Sequence, residues 1–387
     1  MKCQDHNVNV IHNYFEQTKK PILNDEINLQ TEQEQKKFVQ DKIISDPFRT
    51  NPTACHVELL SKSKGQLGSI VSIGKTREVF HNTKNQILFP RATLDNIRYF
   101  KNEKGNPFCQ RVLFRGSFMF VFFCSEDQLK LLTTIKPKQI FIDGYHKVPG
   151  DFQQMVSVFG YSEEKCEAFA IFHCLLNSKT EENYNVMFEE FFAILKQYHP
   201  EFVFMPEICT VDFEKALLNS IERIFPSSLI SGCFFHFLQC QIRYFRSHSF
   251  LTKENRKNTY QVLSLISFLC FIPLTKISTV FAQIKEMFTN YADYFCYFEN
   301  NWLKGYSIDI WNYWNAYEKL KNHFKVTNNI VESFNHVFLH LNNYSHNPSL
   351  GTFLTSLTYV EARQLNDFNK YQNRPLIKVF PLFLFVT

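Results

Sequence analysis

Between residues 139 and 245, short apolar runs alternate with segments whose apolar residues recur at helical spacing. Runs at 139–143, 152–161 and 167–176 come first and are joined by turns, which predicts three strands in a meander. A helix at 180–198, a strand ending before Asp212, a helix at 213–225, a strand-like run at 229–235 and a helix from His236 to about Phe245 follow. This order, β-β-β-α-β-α-β-α, predicts an α/β layer fold with a mixed sheet.

The segments on either side of this alternation divide the chain further. Residues 105–137 are predicted to be a β-rich lead-in, because strand-like apolar runs occupy 112–114 and 118–123. Residues 250–322 show helical spacing and almost no strand pattern, so we interpret 247–325 as an all-α insertion. We assign 1–104 to an N-terminal flanking region and 346–387 to a C-terminal tail. The apolar run at 380–385 stops abruptly, which is typical of a truncated copy.

The composition favours a globular protein of a reducing compartment. Hydrophobic residues make up 45% of the chain and charged residues 20%. The eleven cysteines include no C-x-x-C pair, and several lie inside apolar runs, which is typical of buried thiols and not of a disulfide framework. The longest apolar stretch, 262–274, is short of the roughly 20 residues of a membrane span. We therefore expect a soluble, intracellular protein without a signal peptide or a membrane partner.

A formal net charge of +5 permits a nucleic-acid partner without requiring one. Basic residues cluster just before the helical insertion, where they are candidates for contacts with DNA phosphates. A merely solvated face is the alternative interpretation. The cluster consists of Arg243, Arg246, Lys253, Arg256 and Lys257.

Three acids stand where metal-ligating carboxylates would be expected. Asp143 closes a predicted strand, Asp212 lies at a strand-to-helix junction, and Glu332 lies on a late helix with an apolar stripe. Phosphoryl transfer with two divalent ions needs hard oxygen ligands on rigid elements, and strand ends and helix faces supply them. Each acid alone also has an ordinary structural interpretation, as a turn residue, a helix cap and a solvated helix acid respectively.

Five sequence blocks tie these acids together. They are DGYHKVP at 143–149, NSKTEENY at 177–184, DFEKA at 212–216, GCFFHF at 232–237 and TNNIVESFN at 327–335. In this order they resemble the D-G-T-F-K-x-x-P, NKTEETY, DFEKA, GCFFH and TNNxVExFH blocks of the transposase domain of Mutator-like elements (MULEs). The resemblance spans about 138–345. It departs from the family at Tyr145-His146, where Thr-Phe is usual, and at Asn335, where the family often has His.

The resemblance implies an RNase H-like mixed sheet, interrupted by the helical insertion before the last catalytic helix. It implies a DDE metal site made of Asp143, Asp212 and Glu332, with Mg²⁺ or Mn²⁺ as cofactor. The implied activity is DNA strand cleavage by an activated water, followed by strand transfer by the freed 3′ hydroxyl. Transposon ends and target DNA would be the partners, a homo-oligomer the assembly and the nucleus the location. The alternative is a domesticated or decayed transposase that acts as a non-catalytic DNA- or protein-binding factor.

Two further groups of residues stay open at this point. Cys233 and His236 form a C-x-x-H pair that the family shares; a buried structural role is the first interpretation, and a metal or DNA contact the alternative, since a zinc site lacks a second pair. His336 and His340 follow Glu332 on its helix and are interpreted as solvated or hydrogen-bonded side chains before metal ligands. The family often carries an N-terminal DNA-binding zinc finger, of which Cys3, His6 and His12 are candidate remnants.

Overall fold

The computed structural model describes residues 32–45, 52–62, 72–88, 92–115, 118–321, 324–342 and 344–370. The chain divides into two compact units, Met1–Leu88 and Phe89–Thr387. The candidate finger residues Cys3, His6 and His12 and the apolar run at 380–385 lie outside the described residues.

The described part of the first unit is helical. Its helices are α1 (Glu32–Ser45), α2 (Pro52–Lys62) and α3 (Ile73–Leu88). Helix α2 begins at a proline, which has no N–H to leave unpaired in a first turn. A small apolar core joins the three helices, and its members include Val39, Ile43, Leu59 and Phe80.

The second unit is built on a seven-stranded mixed sheet. Its strands are β1 (Cys109–Arg115), β2 (Phe118–Phe123), β3 (Gln139–Tyr145), β4 (Gln154–Ser162), β5 (Glu167–Leu176), β6 (Ile208–Val211) and β7 (Leu229–Gly232). They lie in the order β1-β2-β5-β4-β3-β6-β7. The β3–β6 and β6–β7 pairs are parallel, and the remaining pairs, including the predicted β3-β4-β5 meander, are antiparallel.

Helices connect and cover these strands. They are α4 (Glu126–Ile135), α5 (Glu181–Tyr198), α6 (Lys215–Ile224), α7 (Phe234–Ser247), α8 (Arg256–Leu269), α9 (Leu274–Met287), α10 (Ala292–Phe298), α11 (Ile308–Trp311), α12 (Trp314–Leu320), α13 (Asn329–Leu341) and α14 (Leu350–Lys370). From β3 to α7 the observed element order is β-β-β-α-β-α-β-α, and the mixed α/β fold predicted from the sequence is confirmed at this level. Helix α5 begins as predicted, because the Thr180 side chain accepts a hydrogen bond from the Asn183 N–H. Helix α7 starts two residues earlier than predicted, directly after Cys233.

The two faces of the sheet carry different elements. Side chains alternate between faces along a strand. On one face, Ile140 and Ile142 of β3 join a large apolar core that includes Phe188, Phe191 and Ile221 from helices α5 and α6. Phe141, which lies between them, and Asp143, which follows Ile142, therefore project toward the opposite face.

Helices α13 and α14 pack on that opposite side. The ring of Phe334 lies 5.1 Å from that of Phe159 in β4, and the ring of Phe338 lies 5.4 Å from that of Tyr145 in β3. Helix α14, in the segment assigned from sequence to a tail, contacts β5 and buries Phe353 and Leu357. The apolar stripe of α13 thus fixes which of its residues reach the end of β3.

The segment between α7 and α13 is helical and contains an aromatic core of its own. Trp302 and Trp311 are buried, whereas Trp314 is half-exposed at 36%. Phe237 of α7 packs on both buried indoles, at 4.7 Å from Trp302 and 5.9 Å from Trp311. The helical insertion is therefore anchored on the helix that follows β7. Within the described residues, no helix combines the length and apolar character needed to cross a bilayer.

Candidate active site

Asp143 lies near the end of β3, where it is 7% exposed and stands opposite Ser157 of β4. Its carboxylate accepts two hydrogen bonds. The Gly144 N–H donates to Oδ1 at 2.9 Å, and Nδ2 of Asn335 in α13 donates to Oδ2 at 3.2 Å. Asp143 is therefore a strand residue that faces helix α13, and its interpretation as a turn residue is wrong.

Asp212 follows the last residue of β6, the strand parallel to β3. Phe141 of β3 stands opposite Thr210 of β6, so continuing that register by two residues brings Asp143 and Asp212 to the same level and the same face. The Glu214 N–H donates to Asp212 Oδ1 at 3.1 Å. Helix α6 begins only at Lys215, with Glu214 as its N-cap residue, so Asp212 is not the predicted helix cap.

Glu332 lies in the first turn of α13, and buried amides fix the segment before it. Nε2 of Gln139 donates to the Lys325 carbonyl at 2.7 Å, and Oε1 of Gln139 accepts from the Lys325 N–H at 3.0 Å. Nδ2 of Asn328, the N-cap residue of α13, donates to the Ile142 carbonyl in β3 at 3.3 Å. Two links to the first and middle residues of β3 therefore determine where Glu332 lies.

The charges of the other two carboxylates act on Asp143. Burial, together with the charges of Asp212 and Glu332, raises the pKa of Asp143 to about 7, against the opposing effect of its two hydrogen bonds. Burial also raises the pKa of Glu332. Like charges gathered in a partly dry site disfavour ionisation, and a bound cation would reverse that effect.

The closest set of potential ligand atoms differs from the predicted trio. Among the described residues, the one group of three His, Cys, Asp or Glu side chains with ligand atoms all within 4.8 Å of one another is Cys233, His236 and Glu332. Cys233 is fully buried at the N-terminus of α7, and His236 lies in the first turn of that helix. Glu332 therefore lies beside the C-x-x-H pair and also within electrostatic range of Asp143.

Residues 139–240 match the family model of the MULE transposase domain. This segment is similar to a MULE transposase domain. The match covers 102 of the 387 residues and includes Asp143, Asp212, Cys233 and His236, whereas Glu332 lies beyond it. No curated protein matches the chain.

Within the matched segment, a polar network joins three of the sequence blocks beside Asp212. The Tyr184 hydroxyl donates to Glu214 Oε1 at 2.7 Å and accepts from Nε2 of Gln154 at 2.6 Å. Nζ of Lys179 lies 3.6 Å from Glu214 Oε2 and 3.4 Å from Nε2 of His146. The residues that follow Asp143 and Asp212 in the chain are thereby tied to the start of α5.

Gly232 and the Phe213 ring pack closely together just before Cys233. A Cβ at Gly232 would collide with the Phe213 ring, so the residue before Cys233 has no space for a side chain. The Phe213 ring lies 4.9 Å from Trp302, and its carbonyl accepts a hydrogen bond from the Tyr306 hydroxyl at 2.9 Å. The residue after Asp212 is thus held by the helical insertion.

The remaining sequence candidates are surface residues. All five basic residues of the cluster (Arg243, Arg246, Lys253, Arg256 and Lys257) are exposed, and none forms an ion pair with a described carboxylate. Arg243 belongs to α7, and its charge lowers the pKa of His236. His336 and His340 are exposed on α13, in line with their interpretation as solvated side chains.

Sequence reasoning missed the amides that organise the site. Asn335 was noted only as a departure from the family's His, yet it donates to Asp143. Gln139 and Asn328 carried no chemical signal, because an amide that binds main-chain groups far along the chain has no local pattern. The NN pair in the last block was the one available hint for Asn328.

Proposed function

We propose that the second unit is the catalytic part of a DDE transposase, which cleaves DNA and joins the freed 3′ end to target DNA. The strand order β5-β4-β3-β6-β7, with helices on both sides, supports an RNase H-like assignment of the sheet that carries the site. The MULE match supports DNA as the substrate. A nuclear location and assembly as a homo-oligomer on transposon ends belong to the same proposal.

One observation carries the proposal. Asp143 and Asp212 stand level at the carboxyl ends of adjacent parallel strands, and Glu332, brought in by α13, is near enough for its charge to raise the pKa of Asp143. A carboxylate whose ionisation is disfavoured by neighbouring carboxylates marks a site that a bound cation would stabilise.

The donor set fits Mg²⁺ or Mn²⁺, because all three side chains offer hard oxygen atoms and Oε1 of Glu332 is buried without a hydrogen-bond partner among the described residues. When bound, such ions polarise the phosphate and stabilise the charge that develops on its oxygens. The chain's own contribution is placement. Gly144 and Asn335 orient the Asp143 carboxylate, and the Glu214 N–H orients that of Asp212.

Exposed cations lie on α7 and on the segment that follows it, and they suit a DNA backbone. Arg243 lies on the helix that starts beside the site, and the other basic residues of the cluster continue toward α8. Contacts of this kind would position the DNA without reading its sequence. Weakening of DNA binding by added salt is the expected sign of this interaction.

The test combines metal binding with strand chemistry. We expect the full chain to bind Mn²⁺ and to cleave, then join, a DNA fragment that contains its own gene with the flanking genomic sequence. Asp143→Asn, Asp212→Asn and Glu332→Gln should each abolish cleavage. Glu361→Gln is the matched control, since Glu361 is a buried carboxylate on α14 whose neighbours are Ser125 and Asn102. Cleavage that survives in the three site variants, or a folded wild type that binds Mn²⁺ nowhere, would overturn the proposal.

A further inference from the structure

The C-x-x-H pair has a third member that only folding reveals. The potential ligand atoms of Cys233, His236 and Glu332 lie within 4.8 Å of one another, although Glu332 is 96 residues after His236 in the chain. In a tetrahedral zinc site the ligand atoms stand roughly 3.3–3.8 Å apart, as follows from bond lengths of about 2.0–2.3 Å. Side-chain shifts of about 1 Å would therefore close the group around an ion.

Two of these side chains have a buried polar atom that lacks a hydrogen-bond partner among the described residues. Nδ1 of His236 and Oε1 of Glu332 are inaccessible to solvent and have no hydrogen-bond partner among the described residues. An unpaired buried polar atom is unfavourable, so two within one small group call for a partner between them. A cation satisfies both, since a ring nitrogen and a carboxylate oxygen are both donors of electron pairs.

Backbone N–H groups around Cys233 are placed to stabilise a thiolate. Its sulfur accepts a hydrogen bond from the Asn328 N–H at 3.3 Å, and the N–H groups of Phe235 and His236 at the start of α7 also interact with it. Cysteine binds metal ions as the thiolate, so these donors favour the form that a metal site needs.

We propose that Cys233, His236 and Glu332 bind a thiophilic divalent cation, with Zn²⁺ as the ion that best suits one sulfur, one nitrogen and one oxygen donor. Soft sulfur and imidazole ligands select Zn²⁺ over Mg²⁺, which prefers an all-oxygen shell. Three protein ligands leave the fourth tetrahedral position open. The site is distinct from the all-carboxylate centre of the proposed function, with which it shares Glu332.

The experiment is a cobalt titration of the untagged full chain, followed by displacement with Zn²⁺. One equivalent of Co²⁺ should give the intense near-ultraviolet absorption of a thiolate–cobalt bond, and one equivalent of Zn²⁺ should remove it. Cys233→Ser should abolish this absorption. Cys240→Ser is the matched control, because Cys240 lies two turns further along α7, is partly buried and belongs to no ligand group. A Co²⁺ spectrum without thiolate absorption, or one that survives in Cys233→Ser, would overturn the proposal.

A second variant covers the case in which Cys233→Ser does not fold. Glu332→Gln should keep the thiolate absorption but weaken Co²⁺ binding by more than the roughly 10–100-fold typical of losing an outer-shell partner. Asp143→Asn should leave Co²⁺ affinity within about threefold of the wild type, although it removes a ligand of the carboxylate centre. Unchanged affinity in Glu332→Gln would refute the assignment of the third ligand. Failure of DNA cleavage with intact cobalt binding would count against the proposed function alone.

Discussion

Replacing Asp143 by asparagine should stabilise the metal-free protein, and by more at high pH than at low pH. The pKa of Asp143 is about 7 in the folded chain, against an ordinary value of 3.8. Between these values the unfolded chain has lost the proton and the folded chain has kept it. Folding with an ionised Asp143 is therefore increasingly unfavourable as pH rises from about 4 to 7, and the full penalty is present above pH 7.

The structure sets the size of the effect. The gap between the two pKa values corresponds to about 4 kcal/mol at pH 8 and to about 1.5 kcal/mol at pH 5. The difference in unfolding free energy between Asp143→Asn and the wild type should thus be larger at pH 8 than at pH 5 by about 2.5 kcal/mol. Asparagine fits the site, because its Oδ1 can accept from Gly144 and, after a flip of the Asn335 amide, its Nδ2 can donate to Asn335 Oδ1.

The assay is urea unfolding followed by tryptophan fluorescence in EDTA. All three tryptophans lie in the second unit, so the signal reports the unit that contains Asp143. Adding Mg²⁺ at pH 8 should stabilise the wild type and leave the variant unchanged. Asp151→Asn is the control, because it makes the same substitution at an exposed carboxylate. A difference between Asp143→Asn and wild type that is equal at pH 5 and pH 8 would refute the reasoning.

Three further substitutions test how the site is built. Gly232→Ala should destabilise the second unit by about 1–3 kcal/mol, because the new methyl group displaces the Phe213 ring; the urea midpoint measures it. Gln139→Ala should cost about 2–4 kcal/mol, since it leaves buried main-chain groups of Lys325 unpaired, and it should also weaken Mn²⁺ binding. Asn335→Ala should raise the pKa of Asp143 above about 7 by removing a donor to its carboxylate, as measured by carboxyl NMR titration.

Each of these predictions has a result that contradicts it. Gly74→Ala is the control for the glycine substitution, because its new Cβ would lie 3.8 Å from Ser72 Oγ, and equal effects of the two would reject the steric argument. A Gln139→Ala variant with wild-type stability would show that Lys325 is held by other contacts. A pKa of Asp143 that falls in Asn335→Ala would mean that the amide does not act as a donor there.

The sequence predicted the elements that carry strong local patterns. The strands that end near Asp143 and before Asp212 are apolar runs bounded by turn residues. Helix α5 has a Thr180 cap followed by regular apolar spacing. Because strand ends and helix starts are set by nearby residues, these predictions needed no knowledge of the tertiary fold. The level placement of the two aspartates followed once β3 and β6 proved to be parallel neighbours.

Predictions failed or were absent where the deciding contacts lie far apart in the chain. Helix α14 has apolar residues such as Phe353 and Leu357 that find their partners on β5, roughly 180 residues earlier, and the sequence analysis assigned no structure there. The start of α7 was predicted late, because the apolar run at 229–235 resembles one strand until the Gly232 contact with Phe213 ends it. The ring packing and amide bonds that decide these points have no local period.

The position of Glu332 links both metal proposals to one feature of the fold. Helix α13 is attached to β3 through Gln139 and Asn328, and Asn328 also donates its N–H to the Cys233 sulfur. The same short segment therefore sets the distance from Glu332 to the aspartates and to the C-x-x-H pair. An ion bound by Cys233, His236 and Glu332 would thus leave the Glu332 carboxylate less able to bind a second ion together with Asp143 and Asp212. The two sites therefore compete for one side chain.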